Sequence, residues 1–289
     1  DVNPLMYEFV FDKAWNQTQS TDEWIEMWAK CRGGQKDKNI LKAWKDLHEK
    51  IYMTPALCGQ AVLINARPQF EGVQGWNTYP DYKYDNKDLW AIWGELLQAT
   101  DVVNQGYDFD VVNVGRQVLG NLFSDYRAQF TACYKRKDLS GAEQWAKRMD
   151  DLILDVDRLL SCSPLFSMGK WIKDAKDCAA SEEKNYYEEN ARGIVTIWGQ
   201  KDTQLNDYAN RGWAGLTKSF YRGRWKLFTD GVLAAMKANR SFDEKKFHKD
   251  VTEFEYQWTL QHEDFPISSG ESAVKVANEL WNKYQNDFR

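Results

Sequence analysis

Histidine, cysteine and proline are scarce in this chain, and each scarcity closes off a class of chemistry. His48, His248 and His262 are the only histidines among 289 residues, and His48-Glu49 lacks the second histidine that would complete a zinc-protease helix, so no His-based metal site is expected. The five cysteines (Cys31, Cys58, Cys133, Cys162, Cys178) contain no Cys-x-x-Cys pair. They are read as mostly buried thiols, with bridging of Cys162 to Cys178 left open. No run approaches the roughly 18 apolar residues of a membrane span. Asp1 is followed by neither the basic nor the apolar segment of a signal peptide, so the chain is expected to begin mid-protein or after processing. A Gly-x-Ser-x-Gly elbow and a phosphate-binding Gly-x-x-x-x-Gly-Lys loop are both missing, and no cofactor is expected. Sustained apolar–polar alternation is nearly absent, so strands have no clear seat.

Charge of one sign is lacking too. Lys and Arg number 38 against 43 Asp and Glu, interspersed along the chain, and the net charge is -5. Nucleic acid would require a basic face and is not an expected partner. With 43% hydrophobic and 28% charged residues, and only 6 prolines and 18 glycines, the composition is that of a compact globular chain. Neither a fixed-period repeat nor a low-complexity linker divides it, so residues 1–289 are read as one domain.

What is present is helical periodicity. From Ser140 to Leu160, Trp145, Met149, Leu152, Ile153, Val156, Leu159 and Leu160 recur at spacings of three and four, one apolar stripe on a helix. Ser-x-x-Glu pairs at Ser20/Glu23, Ser140/Glu143, Ser241/Glu244 and Ser268/Glu271 mark helix starts, and Ser181 followed by Glu182 and Glu183 marks another. Further helices are predicted near Leu5–Trp15, Lys38–Tyr52, Lys87–Thr100, Asp110–Cys133 and Asp207–Asn239. The fold class is all-α: a multi-helix, bundle-like domain of about ten helices. The rhythm breaks once, from Pro55 to Asn86, where three prolines and three glycines accompany Phe70, Trp76, Tyr79, Tyr82 and Tyr84. Long loops inside compact domains are often functional, although such aromatics also dock loops onto helices.

Carboxylates are too plentiful for any acid/base pair to stand out. Asp150, Asp151, Asp155 and Asp157 could hold magnesium against a diphosphate, as in all-helical isoprenoid synthases, but they lie mostly off the apolar stripe and read better as a solvated face. The remaining signal is an aromatic surplus of 14 Trp, 14 Tyr and 14 Phe. Aromatic faces suit the C–H faces of sugar rings. Most of these rings are expected in the core, among them Trp15, Trp24, Trp28, Trp44, Trp90, Trp145 and Trp281.

The stretch Glu188–Phe228 reads EENARGIVTIWGQKDTQLNDYANRGWAGLTKSFYRGRWKLF. It closely resembles the signature of the α-N-acetylglucosaminidase family, glycoside hydrolase family 89, through Arg192, Trp198-Gly199, Asp207-Tyr208-Ala209-Asn210, Trp213-Ala214-Gly215-Leu216, Tyr221 and Arg224-Trp225. The resemblance extends more weakly from Asn3–Trp15 to Val251–Tyr284. It implies the C-terminal helical domain of a retaining enzyme whose two catalytic glutamates lie on a preceding (β/α)8 barrel, so no catalytic residue is expected in this chain. The barrel and a terminal N-acetylglucosamine, on glycans such as heparan sulfate or mucin-type chains, are the implied partners. The implied location is extracytoplasmic: periplasmic, cell-surface or secreted if bacterial, lysosomal if animal. A stand-alone helical carbohydrate-binding or interaction module is the competing reading.

Four residues are nominated to bind substrate. Trp198 closes one helix and opens the turn Gly199–Asn206, where a ring can project. Arg192 either braces that loop or bonds a hydroxyl, Tyr208 joins either role, and Asp207 is expected to N-cap the next helix. Trp213, Tyr221 and Trp225 are expected to share a packing face. The family places a tryptophan from the long loop against the sugar, immediately before a tyrosine; here that register reads Lys83-Tyr84, and Trp76, earlier in the loop, is the nearest tryptophan.

Overall fold

A computed structural model describes residues 3–15, 18–33, 37–54, 62–73, 82–100, 102 and 104–288. Among these, eleven α-helices follow one another: α1 Pro4–Trp15, α2 Thr21–Gly33, α3 Lys38–Asp46, α4 Asn86–Leu97, α5 Gln105–Lys135, α6 Leu139–Leu160, α7 Met168–Asp177, α8 Lys184–Ile194, α9 Arg222–Lys237, α10 Glu244–Thr259 and α11 Ala273–Tyr284. π-Helical turns extend α3 over Leu47–Tyr52 and precede α9 over Thr217–Tyr221. No strand forms among the described residues; an isolated parallel bridge joins Ser167 and Ala214. The all-α class is thus as the sequence predicts. Backbone contacts divide the chain into two units, residues 1–55, 83–118 and 272–289, and residues 56–82 and 119–271.

In the first unit, tryptophans at helical spacing build the core. Trp24 stacks on Trp28 at 5.5 Å and Trp28 meets Trp44 edge-on at 5.5 Å. Trp90 stacks on Trp281 at 5.2 Å, and Gly94 leaves room for that indole, which a Cβ would approach to 3.0 Å. The Ser20/Glu23 box is reciprocal: Ser20 N donates to Glu23 Oε2 at 2.9 Å and Glu23 N to Ser20 Oγ at 3.3 Å. One expected core tryptophan is not in the core, since Trp15 is 91% exposed at the end of α1.

The second unit packs α6 against α9 and α7 against α8. The α6 stripe buries Met149, Leu152, Ile153, Val156, Leu159 and Leu160, while Trp145 is only half-buried, tilted against Tyr126 at 5.2 Å with Arg148 over its ring at 4.7 Å. The acidic face of α6 is not wholly solvated. Asp150 forms a two-pronged pair with Arg222, at 2.6 and 2.9 Å. Asp157 is buried and accepts from Gly215 N at 2.7 Å and Lys218 N at 2.9 Å, so it caps the entry to α9 across the unit.

Three expected capping boxes give way to nearby partners. Asp138, Asp243 and Ser272 are the N-caps, accepting from Gly141, Lys246 and Lys275 respectively, because a side chain must sit at the residue before the helix to reach these amides. Helix α7 went unread in the sequence. The predicted helix from Asp207 begins ten residues later, at Thr217, and three non-helical features explain the delay: Asp207 at φ 65°, Gly215 at φ 84°, and the bridge at Ala214. Cys31, Cys133, Cys162 and Cys178 are unbridged, so Cys162 and Cys178 remain thiols.

Candidate functional site

The site is assembled from the turn that leaves α8. Gly193 O accepts from Thr196 N at 3.2 Å and from Trp198 N at 2.7 Å, winding the last turn tightly and throwing Trp198 into the left-handed region at φ 54°. Asp202 at φ 57° and Asp207 at φ 65° follow in the same loop. Backbone in this region costs a non-glycine residue roughly 1 kcal/mol or more and persists only where the surroundings fix it; such positions cluster at functional sites. Here the fixing bonds are visible. Asp207 N donates to Thr196 O at 2.8 Å, Thr203 Oγ1 to Ile197 O at 3.1 Å and Thr196 Oγ1 to Arg192 O at 2.6 Å.

On the outer side of this loop Trp198 and Tyr208 meet edge to face, 4.9 Å between ring centroids, and both keep an accessible surface, 38% and 41% exposed. Asn206 and Asp207 of the same loop face inward. Arg224, fully buried, donates to both carboxylate oxygens of Asp207 at 3.0 and 2.9 Å and to Glu255 at 3.0 Å. Glu255 also receives Arg67 Nε at 3.0 Å and Asn206 Nδ2 at 3.0 Å. Two guanidinium cations and two carboxylates thereby neutralise one another below the aromatic pair, the condition under which buried charge is tolerated. Burial pushes the Asp207 carboxyl up to about 6 against the pull of Arg224. Burial works the same way on Glu255, but Arg224 and Arg67 outweigh it and hold that carboxyl below its ordinary value. Asp207 therefore anchors the loop and caps no helix.

Arg192 also points inward. It is 0% exposed, donates to Glu188 Oε1 at 3.1 and 3.0 Å and to Glu263 O at 2.9 Å, and lies 4.7 Å from the Trp258 ring. Trp76 lies outside the described residues. Tyr221 and Trp225 are buried as expected, the tyrosine hydroxyl donating to Arg211 O at 3.0 Å and the indole to Ile64 O at 3.0 Å. Trp213 precedes the helix, half-buried and tilted against Trp171 at 5.7 Å, so it does not share their helical face.

Sequence reading missed Arg67 and Glu255, whose signal is faint: each is the one charged residue in an otherwise uncharged buried set, Val62–Pro68 and the buried side of α10. A cavity of about 620 Å³ was missed as well, floored by Phe70, Phe228, Phe242 and Phe247 and edged by Arg67 and His248, which both approach Asp202 of the loop, at 3.6 and 3.5 Å. No cluster of three or more metal-binding side chains occurs among the described residues, and no helix is long and apolar enough to cross a membrane.

The same arrangement of helices recurs in known proteins. Human α-N-acetylglucosaminidase is 25% identical over an alignment of 288 positions that covers 98% of this chain and 38% of that protein. A family 89 glycoside hydrolase from Clostridium perfringens, solved with 2-acetamido-1,2-dideoxynojirmycin, superposes with a TM-score of 0.87 at 27% identity over 98% of this chain and 34% of that one. A Clostridium perfringens structure carrying two Glu-to-Gln substitutions and holding its substrate GlcNAc-α-1,4-galactose gives 0.88 at 26% identity over 99% and 34%. The chain therefore spans little more than a third of these relatives. A family model described as the α-N-acetylglucosaminidase (NAGLU) C-terminal domain matches residues 24–283, nearly the whole length, and this chain belongs to that family.

Proposed function

We propose that this chain is the C-terminal helical domain, over residues 1–289, of a retaining α-N-acetylglucosaminidase, and that it forms part of the wall of a pocket for a terminal α-linked N-acetylglucosamine. The observation that carries this reading is the accessible Trp198–Tyr208 pair on a loop held from beneath by buried ion pairs, in a fold shared with a hydrolase solved with GlcNAc-α-1,4-galactose. Trp198 offers a ring face to the sugar and Tyr208 a ring edge and a hydroxyl. Arg192 acts as a brace of α8, the helix from which the loop departs, since its guanidinium is engaged by Glu188 and by the Glu263 carbonyl. Trp76 is a further candidate for the sugar face.

Chemistry in such an enzyme belongs to two glutamates of a catalytic barrel, one attacking the anomeric carbon and the other acting as acid and then base. The helical domain contributes orientation of the sugar and exclusion of water. Heparan sulfate and mucin-type glycans are the proposed substrate classes and an extracytoplasmic compartment the proposed location. Hydrolysis of a chromogenic α-N-acetylglucosaminide is measured for this chain and for the full polypeptide that contains it. Turnover only in the longer polypeptide is expected; turnover by the 289-residue chain alone would overturn the division of labour.

A further inference from the structure

Helix α1 is apolar on more sides than the chain covers. Leu5 is buried and Phe9 packs edge-on against Trp24 at 5.0 Å, which defines its inner face. Met6, Tyr7, Val10, Phe11 and Trp15 occupy the remaining arc and are 46, 49, 60, 66 and 91% exposed. At 100° per residue these five lie within about half a turn of one another, with Ala14 among them, and no charged side chain interrupts them. A contiguous exposed apolar patch of this kind on one side of a helix marks an interface.

We infer that this face of α1 is the seat of the catalytic domain of the same polypeptide. The inference rests on the function proposed above. Two observations favour that occupant. The relatives matched along this chain extend far beyond it, the chain covering 34–38% of them, so most of such a polypeptide lies outside the residues seen here. The patch also belongs to the obligate kind: large aliphatic and aromatic side chains with charges at the margins, Glu8 and Lys13, resembling a core cut in half more than a wet transient contact.

The test compares Val10→Lys with Phe11→Glu, singly and together, in the full polypeptide and in the 289-residue chain. In the shorter chain both positions face solvent, and the melting temperature should stay within about 2 °C. In the full polypeptide the double variant should melt at least about 5 °C lower, with a heat-unfolding transition broadened or split. Equal losses in both would mean that α1 packs inward by this face, and no loss in either would mean that the face is bare; both overturn the inference. A dimer of the shorter chain in light scattering that the double variant abolishes would assign the face to a second copy, and overturns it as well. Failure of the functional reading is seen separately: a full polypeptide without α-N-acetylglucosaminidase turnover but with the selective loss of melting temperature refutes the activity and leaves the interface standing.

Discussion

Trp198 joins two properties that rarely coincide, a strained left-handed backbone and an aromatic side chain left in part to solvent. Replacing it with alanine preserves the φ requirement, because both residues carry a Cβ, and removes only the ring. In the full polypeptide Trp198→Ala should raise KM for an α-N-acetylglucosaminide about tenfold, roughly 1.4 kcal/mol of lost contact, with kcat within about twofold. An unchanged KM would remove Trp198 from the pocket. The residues beneath behave differently. Arg224→Met leaves Asp207 as a buried, uncompensated carboxylate and should cost about 3–5 kcal/mol in denaturant unfolding, and adding Asp207→Asn should restore part of that loss. Glu188 supplies the pH dependence. Burial raises its carboxyl, but hydrogen bonds from Lys176 and Arg192 outweigh this and hold it below 4.5. A depressed carboxylate stabilises the fold above its unfolded value and loses that contribution as pH falls through the folded value. Glu188→Gln should therefore be less stable than the parent at pH 6, and the gap in melting temperature should narrow as pH is lowered past about 4.

At the scale of elements, the instructive case is α6. Its apolar stripe was legible from Met149 to Leu160 because periodicity is a local property. The fate of its acids was not. Asp157 sits 58 residues from Gly215 and caps the entry to α9, a relation that no local pattern encodes. Asp157→Ala should cost about 1–3 kcal/mol, whereas Asp151→Ala, which removes an exposed pair with Lys147, should stay within about 0.5 kcal/mol. Similar midpoints for the two variants would show that the capping contacts contribute little. The starts marked by Ser20, Ser140, Ser181, Ser241 and Ser268 were legible to within about five residues for the same reason, whereas the start expected at Asp207 was ten residues early. Ser20 carries its own box, but elsewhere an aspartate or serine nearer the first turn takes the amides. The stretch 207–215, expected to open a long helix, is not helical, since Asp207 is turned inward to Arg224 and Gly215 accommodates Phe265, whose ring a Cβ would meet at 2.7 Å.

For the whole molecule, Cys31, Cys133, Cys162 and Cys178 are unbridged, so among the described residues packing, hydrogen bonds and ion pairs hold the fold without a disulfide. Reductant should shift the melting temperature by less than about 2 °C; a drop of more than about 5 °C would reveal a bridge. The sequence by itself determined the class, through the 3.6-residue period and the scarcity of alternation, and it determined the family, through the run Arg192–Trp225. It also placed the loop after α8, because Trp198-Gly199 ends a periodic segment. Only the tertiary structure decided which members of that run reach solvent. Arg192, Asp207 and Arg224 look in the sequence as available to a ligand as Trp198 and Tyr208 do, yet each of these three is buried on a partner, and Arg224 draws on residues as distant as Asn65. A charge in a low-dielectric interior must find its counter-charge wherever the fold brings one, and periodicity along the chain carries no record of where that is.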